Sequence, residues 1–293
     1  MKREETPPDP LDGRPSEASG HDVPVPTRGR PPYGSAVLAG LAAWCLYVLT
    51  LAPTTAFWDT SEYIATAHIV GVPHPPGNPL FVILGRVWIV LLAPLGLPVA
   101  VRVNLLAATT SAAATGFFYL VAHRLIAGLS EHGRVARVAA GASALIGATS
   151  FTVWNQSNVN EKVYTLSLLV IAAVSWLGVL WHDRKDEPGS VRYLLWAVFL
   201  IAIGSTNHPM SILPAPALGL FVLASGPSGL LRPSVVGRAA TLILLGLSFN
   251  FVLPVRSAQD PVINEGEPTC ASVLGATVAI YERLLPGPVR GRV

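Results

Sequence analysis

The chain has 293 residues, of which 51% are hydrophobic and only 13% are charged, and its mean hydropathy is +0.51. A soluble domain carries about 25% charged residues, because water must solvate its surface. The composition therefore excludes a soluble globule and indicates a multi-pass integral membrane protein. The small net charge of +3, with no Lys/Arg-rich blocks between aromatic residues, argues against nucleic-acid binding.

Residues 1–33 differ in composition from the rest of the chain. They are rich in Pro, Gly and charged residues and nearly lack large apolar side chains, so we expect a disordered cytoplasmic tail. The apolar segment that follows begins too late for a cleavable signal peptide, and we interpret it as an uncleaved anchor. The two cysteines, Cys45 in the first apolar run and Cys270 in a polar tail, are not expected to pair or to bind a metal.

Apolar runs with almost no charge follow one another along the chain. Several are about 17–25 residues long, the length that a helix needs to cross a bilayer. The runs predict helices over Ser35–Leu51, Pro79–Leu97, Val101–Ile126, Val135–Val153, Val163–Trp181, Tyr193–Ser205, Met210–Ala224 and Ala239–Pro254.

The placement of Lys and Arg predicts the orientation, because cytoplasmic loops carry an excess of these residues. Cations precede the first run and recur in the loops around Arg124, Arg184 and Arg232, so these segments are assigned to the inside. The segments with few cations, including the loop after the first run and the chain after Pro254, are assigned to the outside.

The number of crossings in the first half of the chain does not match the number of apolar runs. The chain is outside at Asp59 and inside at Arg124, which requires an odd number of crossings, yet two runs lie between them. The run Pro79–Leu97 is interrupted by Arg86, so we predict that it lies in the outer interface, preceded by a second interfacial helix over Asp59–Val70. This gives about seven spans and a first outer loop with two juxtamembrane helices; the alternative is eight spans with one exception to the charge bias.

Polar residues suited to chemistry cluster in the outer segments, first in the sequence WDTSEY. Asp59 and Glu62 are three residues apart and would share one face of a helix. Asp59 stands just beyond the first span, at the apolar boundary, and suits a general base that takes a proton from an incoming hydroxyl. The same two residues equally fit a helix start, with Asp59 as the N-cap and Glu62 completing a capping box.

The sequence HPPGNP, which begins at His74, predicts a stiff turn, because each proline fixes its own φ and restricts the residue before it. It is either a connector between the two interfacial helices or a support that holds His74 toward a ligand. The outer segment Asn155–Lys162 adds Glu161, which either pairs with Lys162, caps the next helix or faces the same cavity as Asp59.

Two further outer segments carry polar side chains near the membrane. Asn207 and His208 lie in the sequence STNHP, where one helix gives way to the next almost at once, so we predict that they line a polar pocket. Arg256, just outside the last span, is predicted to bind either an anionic partner or lipid headgroups. No ligand spacing supports a metal site. The residues that would be available to one are Asp59, His74, Glu161 and His208.

Four motifs in this order, W-D-T-S-E, H-P-P-G-N-P, N-E-K-V-Y and T-N-H-P, resemble those of a known multi-pass family. This family includes the transmembrane-protein-260 type of protein O-mannosyltransferase, and its bacterial members form domain-of-unknown-function family 2723. Typical members have W-D-S-G-E, H-P-P-G-Y-P, a-E-V-Y and T-N-H at the corresponding places. The resemblance covers residues from about Ala36 to Pro268.

The resemblance implies an all-α integral membrane protein, a multi-span helical bundle of the GT-C glycosyltransferase superfamily. Such enzymes take a sugar, here with mannose as the candidate, from a polyprenyl-phosphate donor and transfer it with inversion to a protein or glycan hydroxyl on the outer face. By this resemblance Asp59 is the catalytic base, Glu62 supports it, and Arg256 holds the donor phosphate. The residues implied to line the acceptor or sugar pocket are His74, Glu161, Asn207 and His208.

The resemblance also implies a domain organisation, partners and a location. The chain divides into the tail 1–33, a GT-C-like transmembrane domain over 34–268 that is expected to be incomplete, and an atypical tail over 269–293. The implied partners are the lipid bilayer, the polyprenyl-phosphate sugar and the acceptor; no other cofactor and no metal is implied. The implied location is a bacterial plasma membrane, with a cytoplasmic N-terminus and an outward-facing site.

The sequence departs from the family pattern at Thr60-Ser61, which replace Ser-Gly, and at Asn78, which replaces an aromatic residue. The residues after Cys270 do not resemble the family, which makes a truncated and inactive scaffold one alternative. A transporter or flippase for a polar solute is another, but it predicts ionisable residues buried in the middle of spans, and the apolar runs contain almost none.

Overall fold

The computed structural model describes residues 30–56, 59–130, 132–160, 163–226, 229–270 and 272. Residues from Pro32 onward form one unit, separate from Met1–Pro31. Within the described residues the secondary structure comprises eleven α-helices, short 3-10 turns and no β-strand, which confirms the predicted all-α class. The predicted tails over 1–33 and 269–293 fall largely outside the described residues.

The helices are numbered in chain order. Their bounds are α1 Tyr33–Leu49, α2 Thr60–Ile69, α3 Pro79–Leu91, α4 Val99–Ala127, α5 Gly133–Thr149, α6 Phe151–Asn158, α7 Tyr164–Asp183, α8 Val191–Ser205, α9 Pro214–Ala224, α10 Pro233–Leu247 and α11 Val252–Ser257. Three 3-10 turns lie at Ala93–Leu95, Pro209–Ile212 and Ser248–Phe251.

Each of the eight apolar runs corresponds to a helix or a pair of helices. Three helical segments are long and apolar enough to cross a membrane: Val99–Ala127, Tyr164–Asp183 and Pro233–Ser257. The bent pair α5–α6 makes a fourth, and four shorter apolar helices begin at Tyr33, Pro79, Val191 and Pro209. These helices support an integral membrane protein, whereas the predicted count of seven crossings stays a prediction.

Two helical segments have other bounds than the apolar runs that predicted them. The run Val135–Val153 is divided at Ser150 into α5 and α6, which meet at a bend of 65°. The Ser150 hydroxyl donates to the Gly147 carbonyl at 2.7 Å, a local bond that competes with helix continuation. The last helical segment is longer than its run and continues to Ser257, so that Arg256 lies in its final turn.

Helix α4 lies at the centre of the bundle and packs against α1, α3, α5 and α7. Small residues let α1 and α4 approach closely, as is common between membrane helices. A Cβ added at Gly40 of α1 would lie 2.9 Å from the Ala112 carbonyl oxygen of α4. One added at Gly116 of α4 would lie 3.2 Å from the Ala36 carbonyl oxygen of α1. This packing fixes α1 against α4, the helix that contributes many of the buried residues.

A single glycine also sets the contact between α8 and α10. A Cβ at Gly246 would lie 2.7 Å from the Ala202 Cβ and 2.8 Å from the Ile203 backbone nitrogen. We expect Gly246→Leu to lower the melting temperature of the detergent-solubilised chain, because overpacking costs about 1–3 kcal/mol. The matched control is Gly237→Leu on the same helix, where no heavy atom lies within 4 Å of the added Cβ. Equal melting temperatures for the two variants would contradict this packing.

Candidate functional site

The start of α2 places two acidic residues in the segment between α1 and α3. Asp59 occupies the N-cap position of α2, but its side chain makes no capping hydrogen bond. Glu62, in the first turn, reaches His74 rather than the backbone of Asp59. The geometry therefore contains no capping box: the Asp59 carboxylate makes no capping bond, and the Glu62 carboxylate binds His74 instead.

Glu62 holds His74 through two hydrogen bonds. The His74 backbone N–H donates to Glu62 Oε1 at 2.6 Å, and His74 Nδ1 lies 2.8 Å from Glu62 Oε2. A carboxylate at Nδ1 keeps a proton on that nitrogen, which leaves Nε2 as the acceptor of the neutral ring. The side chains of Glu62 and His74 are 20% and 36% exposed, so a ligand in solvent can reach the pair.

A buried chain of hydrogen bonds continues from α2 to distant helices. The Tyr63 hydroxyl lies 3.5 Å from His74 Nε2 and donates to Asn78 Oδ1 at 3.3 Å. Asn78 Nδ2 donates to the backbone carbonyl of Asn207, and Asn207 Nδ2 donates to the Val163 carbonyl at 2.9 Å. These bonds join α2, the HPPGNP turn, the α8–α9 junction and the start of α7.

Tyr63 remains a proton donor in this chain of hydrogen bonds. Burial, followed by the nearby negative charges of Glu62 and Asp59, raises the pKa of Tyr63 well above its usual value. The hydroxyl therefore stays protonated across the physiological range.

Asn78 combines an unusual backbone conformation with a buried amide. Its φ of 41° lies in the left-handed region, which Asn tolerates better than most residues. The preceding Gly77 has φ 86°, and a Cβ there would lie 2.8 Å from the Leu253 side chain. The amide of Asn78 links Tyr63 to Asn207, so Asn is suited to this position in place of the family's aromatic residue.

Substitutions at Asn78 separate its amide from its backbone conformation. Asn78→Gly keeps the left-handed backbone accessible but leaves buried partners unpaired, a loss of about 1–3 kcal/mol for each. Asn78→Ala adds a left-handed strain of about 1–2 kcal/mol. We expect melting temperatures to fall in the order wild type, Gly variant, Ala variant. A Gly variant that melts with the wild type would show that the amide bonds do not hold the turn.

The two predicted residues at the α8–α9 junction, Asn207 and His208, differ in how deeply they are buried. Asn207 is fully buried, and its amide also donates to the Ser167 hydroxyl at 3.0 Å. His208 is half-buried and packs edge-on against Tyr164 with ring centroids 5.0 Å apart, while its Nδ1 accepts the Met210 N–H at 3.2 Å. Asn207 thus faces the interior network, and His208 lies beside it at the start of a 3-10 turn.

Arg256 lies at the opposite end of α2 from Asp59. Its guanidinium donates to the Val70 carbonyl, to the Ile69 carbonyl at 3.1 Å and to Gln259 Oε1 at 2.6 Å. These bonds satisfy the last carbonyls of α2, where a cation is favoured by the helix dipole.

The segment after α11 also pairs with the loop that follows α2. The Val72 N–H donates to the Ile263 carbonyl at 2.8 Å, and the Glu265 N–H donates to the Val72 carbonyl at 2.9 Å. This pairing forms a short parallel bridge between Val72 and Asn264. Residues near the end of the described chain therefore complete the support of the HPPGNP turn.

An apolar groove of about 550 Å³ opens beside the HPPGNP turn. Its walls come from the turn, α8, the 3-10 turn after it and the α10–α11 segment. Representative lining residues are Pro75, Gly77, Ile201, Ile212, Leu247 and Leu253. A second apolar groove of about 570 Å³ lies between α1 and α4, and no residue of the turn lines it.

The outcome for the predicted site residues is mixed. The geometry joins Glu62 to His74 and, through Tyr63 and Asn78, connects this pair to Asn207. Asp59 lies at the N-cap of the helix that carries Glu62, and Glu161 lies outside the described residues. Among the described residues, no group of three or more His, Cys, Asp or Glu side chains could hold a metal ion.

Sequence reasoning missed Tyr63, Asn78 and Asn104 as organising residues. Asn104 of α4 is fully buried, donates to the Ala52 carbonyl at 2.9 Å and accepts the Asn160 N–H at 3.1 Å. It thereby ties the start of the first outer loop to the end of the α6 segment. An asparagine inside an apolar run was the signal that could have identified it.

Comparison with known proteins agrees with these motifs. The sequence model of the "Protein O-mannosyl-transferase TMEM260 N-terminal domain" matches residues 59–228, more than half of the chain. The chain is similar to "Protein O-mannosyl-transferase tmem260" of Dictyostelium discoideum, with 26% identity over 227 residues that cover 72% of this chain and 26% of the relative. It is also similar to "Protein O-mannosyl-transferase TMEM260" of Mus musculus, with 28% identity over 233 residues, 77% of this chain and 30% of the relative.

The match is confined to part of each relative. The chain spans less than a third of the length of these two proteins, and no solved structure matches it. The matched region contains Asp59, Glu62, His74 and the α8–α9 junction, whereas Arg256 lies beyond it. The family resemblance inferred from the four motifs is confirmed: the chain belongs to the family of the TMEM260 protein O-mannosyl-transferase N-terminal domain.

Proposed function

We propose that this chain is a membrane glycosyltransferase that moves a sugar from a polyprenyl-phosphate donor to a hydroxyl of a protein or glycan. The names of the two relatives support protein as the acceptor and mannose as the sugar. The observation that carries the proposal is that the polar Glu62–His74 pair and the apolar groove both adjoin the HPPGNP turn, with Asp59 one helical turn before Glu62 on α2. A donor with a polar head and an isoprenoid tail needs both kinds of surface.

In the proposed reaction Asp59 acts as the general base. Its carboxylate takes the proton of the acceptor hydroxyl as the oxygen bonds to the anomeric carbon. The bond from that carbon to the donor phosphate oxygen breaks, and its electron pair leaves on the polyprenyl phosphate. The attack from the opposite face inverts the anomeric centre. The half-buried position of Asp59 and its lack of a capping bond support this role.

The remaining predicted residues take supporting roles in the proposal. Glu62 acts through His74, whose ring it orients toward the sugar or acceptor. Arg256 is proposed to neutralise the leaving phosphate; its guanidinium lies at the C-terminal end of α2, next to the loop that leads into the HPPGNP turn. Asn207 holds the turn from inside, while Glu161 and His208 remain proposed pocket residues.

The proposal also includes an arrangement of the helices in the membrane. We assign the domain over 34–268 to the GT-C type, with seven crossings and with α2 and α3 in the outer interface. The N-terminus is then cytoplasmic, and the cluster around Asp59 faces outward in a bacterial plasma membrane. Helix α2 has only 10 residues and a polar first turn, and α3 has 13 residues interrupted by Arg86, which supports an interfacial position for both.

The test is transfer of radiolabelled mannose from polyprenyl-phosphate-mannose into protein by membranes that contain the chain. The proposal expects label in protein above the level of membranes without the chain, and no label when a nucleotide-linked mannose is the only donor. Absence of transfer by the inserted chain, or equal transfer from the nucleotide donor, would contradict it. Donor that crosses a vesicle membrane without loss of its sugar would favour the flippase alternative.

A further inference from the structure

Two arginines converge on one tyrosine at the end of the bundle opposite the candidate site. Helix α7 begins beside that site and runs for 20 residues, about 30 Å, before the loop that contains Arg184. Arg184 Nη1 donates to the Tyr193 hydroxyl at 2.9 Å, and Arg192 Nη2 donates to the same oxygen at 3.0 Å. Their guanidinium carbons lie 5.9 and 4.9 Å from the Tyr193 ring centroid.

The charge of Glu187 acts on Arg192, but from beyond ion-pairing distance. In the described part of the chain, neither Arg184 nor Arg192 lies within ion-pairing distance of an acidic side chain. The exposed Asp186 and Glu187 lie in the same loop, yet both guanidiniums turn to the neutral Tyr193. Two adjacent guanidiniums repel each other unless an anion lies between or beside them.

Two other cations of this end are already engaged. Arg124 forms a two-bond ion pair with Asp183, with Nε–Oδ2 at 2.8 Å and Nη2–Oδ1 at 2.7 Å. Lys185 Nζ donates to the Ser225 carbonyl at 2.7 Å. In contrast, the two guanidiniums on Tyr193 lie side by side and can offer N–H donors to one anion with several acceptor oxygens, such as a phosphate.

An exposed aromatic surface adjoins the two arginines. Trp196 follows Arg192 by four residues and Tyr193 by three on α8, so the three residues share one face of the helix. Trp196 is 56% exposed and packs edge-on against Phe199, with ring centroids 5.8 Å apart. Exposed tryptophan beside cations is typical of the boundary between headgroups and acyl chains.

We propose that Arg184, Arg192 and Tyr193 bind the phosphate of an anionic phospholipid headgroup, with the acyl chains along Trp196 and Phe199. This site is separate from the proposed sugar transfer and does not depend on it. The two guanidiniums supply four or more N–H donors around one position, and the exposed aromatic rings supply the apolar contact. A free inorganic anion would use only the first of these features.

Native mass spectrometry of the detergent-purified full chain can test the site with phosphatidylglycerol and phosphatidylcholine as probes. We expect the wild type to retain phosphatidylglycerol selectively. Arg184→Gln/Arg192→Gln should weaken this retention about tenfold or more, because each charge-assisted bond to the phosphate is lost. The single variants Arg192→Gln and Arg238→Gln, which each remove one cation, form the matched comparison. The Arg238 guanidinium donates to the Ser234 carbonyl of its own helix at 3.0 Å, so its loss should not affect the site.

Three outcomes would overturn the proposal. An equal loss in the Arg238 variant would mean that only general charge attraction acts. Displacement of phosphatidylglycerol by an equal concentration of inorganic phosphate would identify a free-anion site without a lipid contact. If the double variant is not monodisperse, Arg192→Gln alone replaces it, and unchanged retention of phosphatidylglycerol in that variant would contradict the site.

Discussion

Replacing Asp59 by asparagine is expected to reduce sugar transfer by about 100- to 10,000-fold, the range that a positioned general base contributes. The amide has nearly the same shape as the carboxylate but cannot take the acceptor proton. The structural cost should be small, because the Asp59 side chain makes no capping hydrogen bond that the substitution would remove. The measurement is the single-turnover rate of mannose transfer at saturating polyprenyl-phosphate-mannose.

The matched control for Asp59→Asn is Ser61→Ala, two residues away. Ser61 is exposed, and its removal changes no charge. Donor binding should be the same in the wild type and both variants, because the base acts on the acceptor. A transfer rate for the Asp59 variant equal to that of the Ser61 variant would remove Asp59 from the proposed mechanism.

Replacing Glu62 by glutamine is expected to lower transfer by about 10- to 100-fold through its effect on His74. The carboxylate accepts from both the His74 backbone and its Nδ1, and bonds to a charged group contribute about 1.5–3 kcal/mol. A glutamine oxygen can keep only one of these two bonds with full strength. The His74 ring then loses the partner that fixes its proton on Nδ1.

A double-mutant cycle of Glu62→Gln and His74→Asn separates positioning from an independent role. If Glu62 acts through His74, the double variant should transfer no more slowly than the worse single variant. Losses that multiply would instead show that each residue contributes by itself. The control variant is Glu187→Gln, an exposed carboxylate at the other end of the bundle, whose transfer rate should equal that of the wild type.

The helices of this protein were predictable because a membrane-crossing or membrane-bound helix requires a continuous apolar run. All eight runs became helical for this reason. The division at Ser150 was not predictable, because a single serine inside an apolar run is usually tolerated by a continuous helix. In the structure, Ser150 differs from such a serine because its hydroxyl binds the Gly147 carbonyl and the chain bends there by 65°.

The candidate site was predictable in its residue types but not in its connections. The short spacing of Glu62 and His74 made their contact foreseeable. In contrast, Asn78 and Asn207 are 129 positions apart, and Arg256 reaches α2 across 187 positions. Such contacts depend on how helices pack in three dimensions, and local sequence periodicity carries no information about them.

Photolabelling with a lipid-linked sugar tests the central claim most directly, because the chain contains two apolar grooves of similar size. The probe is a polyprenyl-phosphate-mannose with a diazirine on its first isoprene unit, and labelled peptides of the full chain are identified by mass spectrometry. The account predicts labels in the HPPGNP turn, α8 and the α10–α11 segment, around Gly77, Ile201 and Leu253. Labels confined to the α1–α4 groove, around Val37 and Phe117, would contradict it.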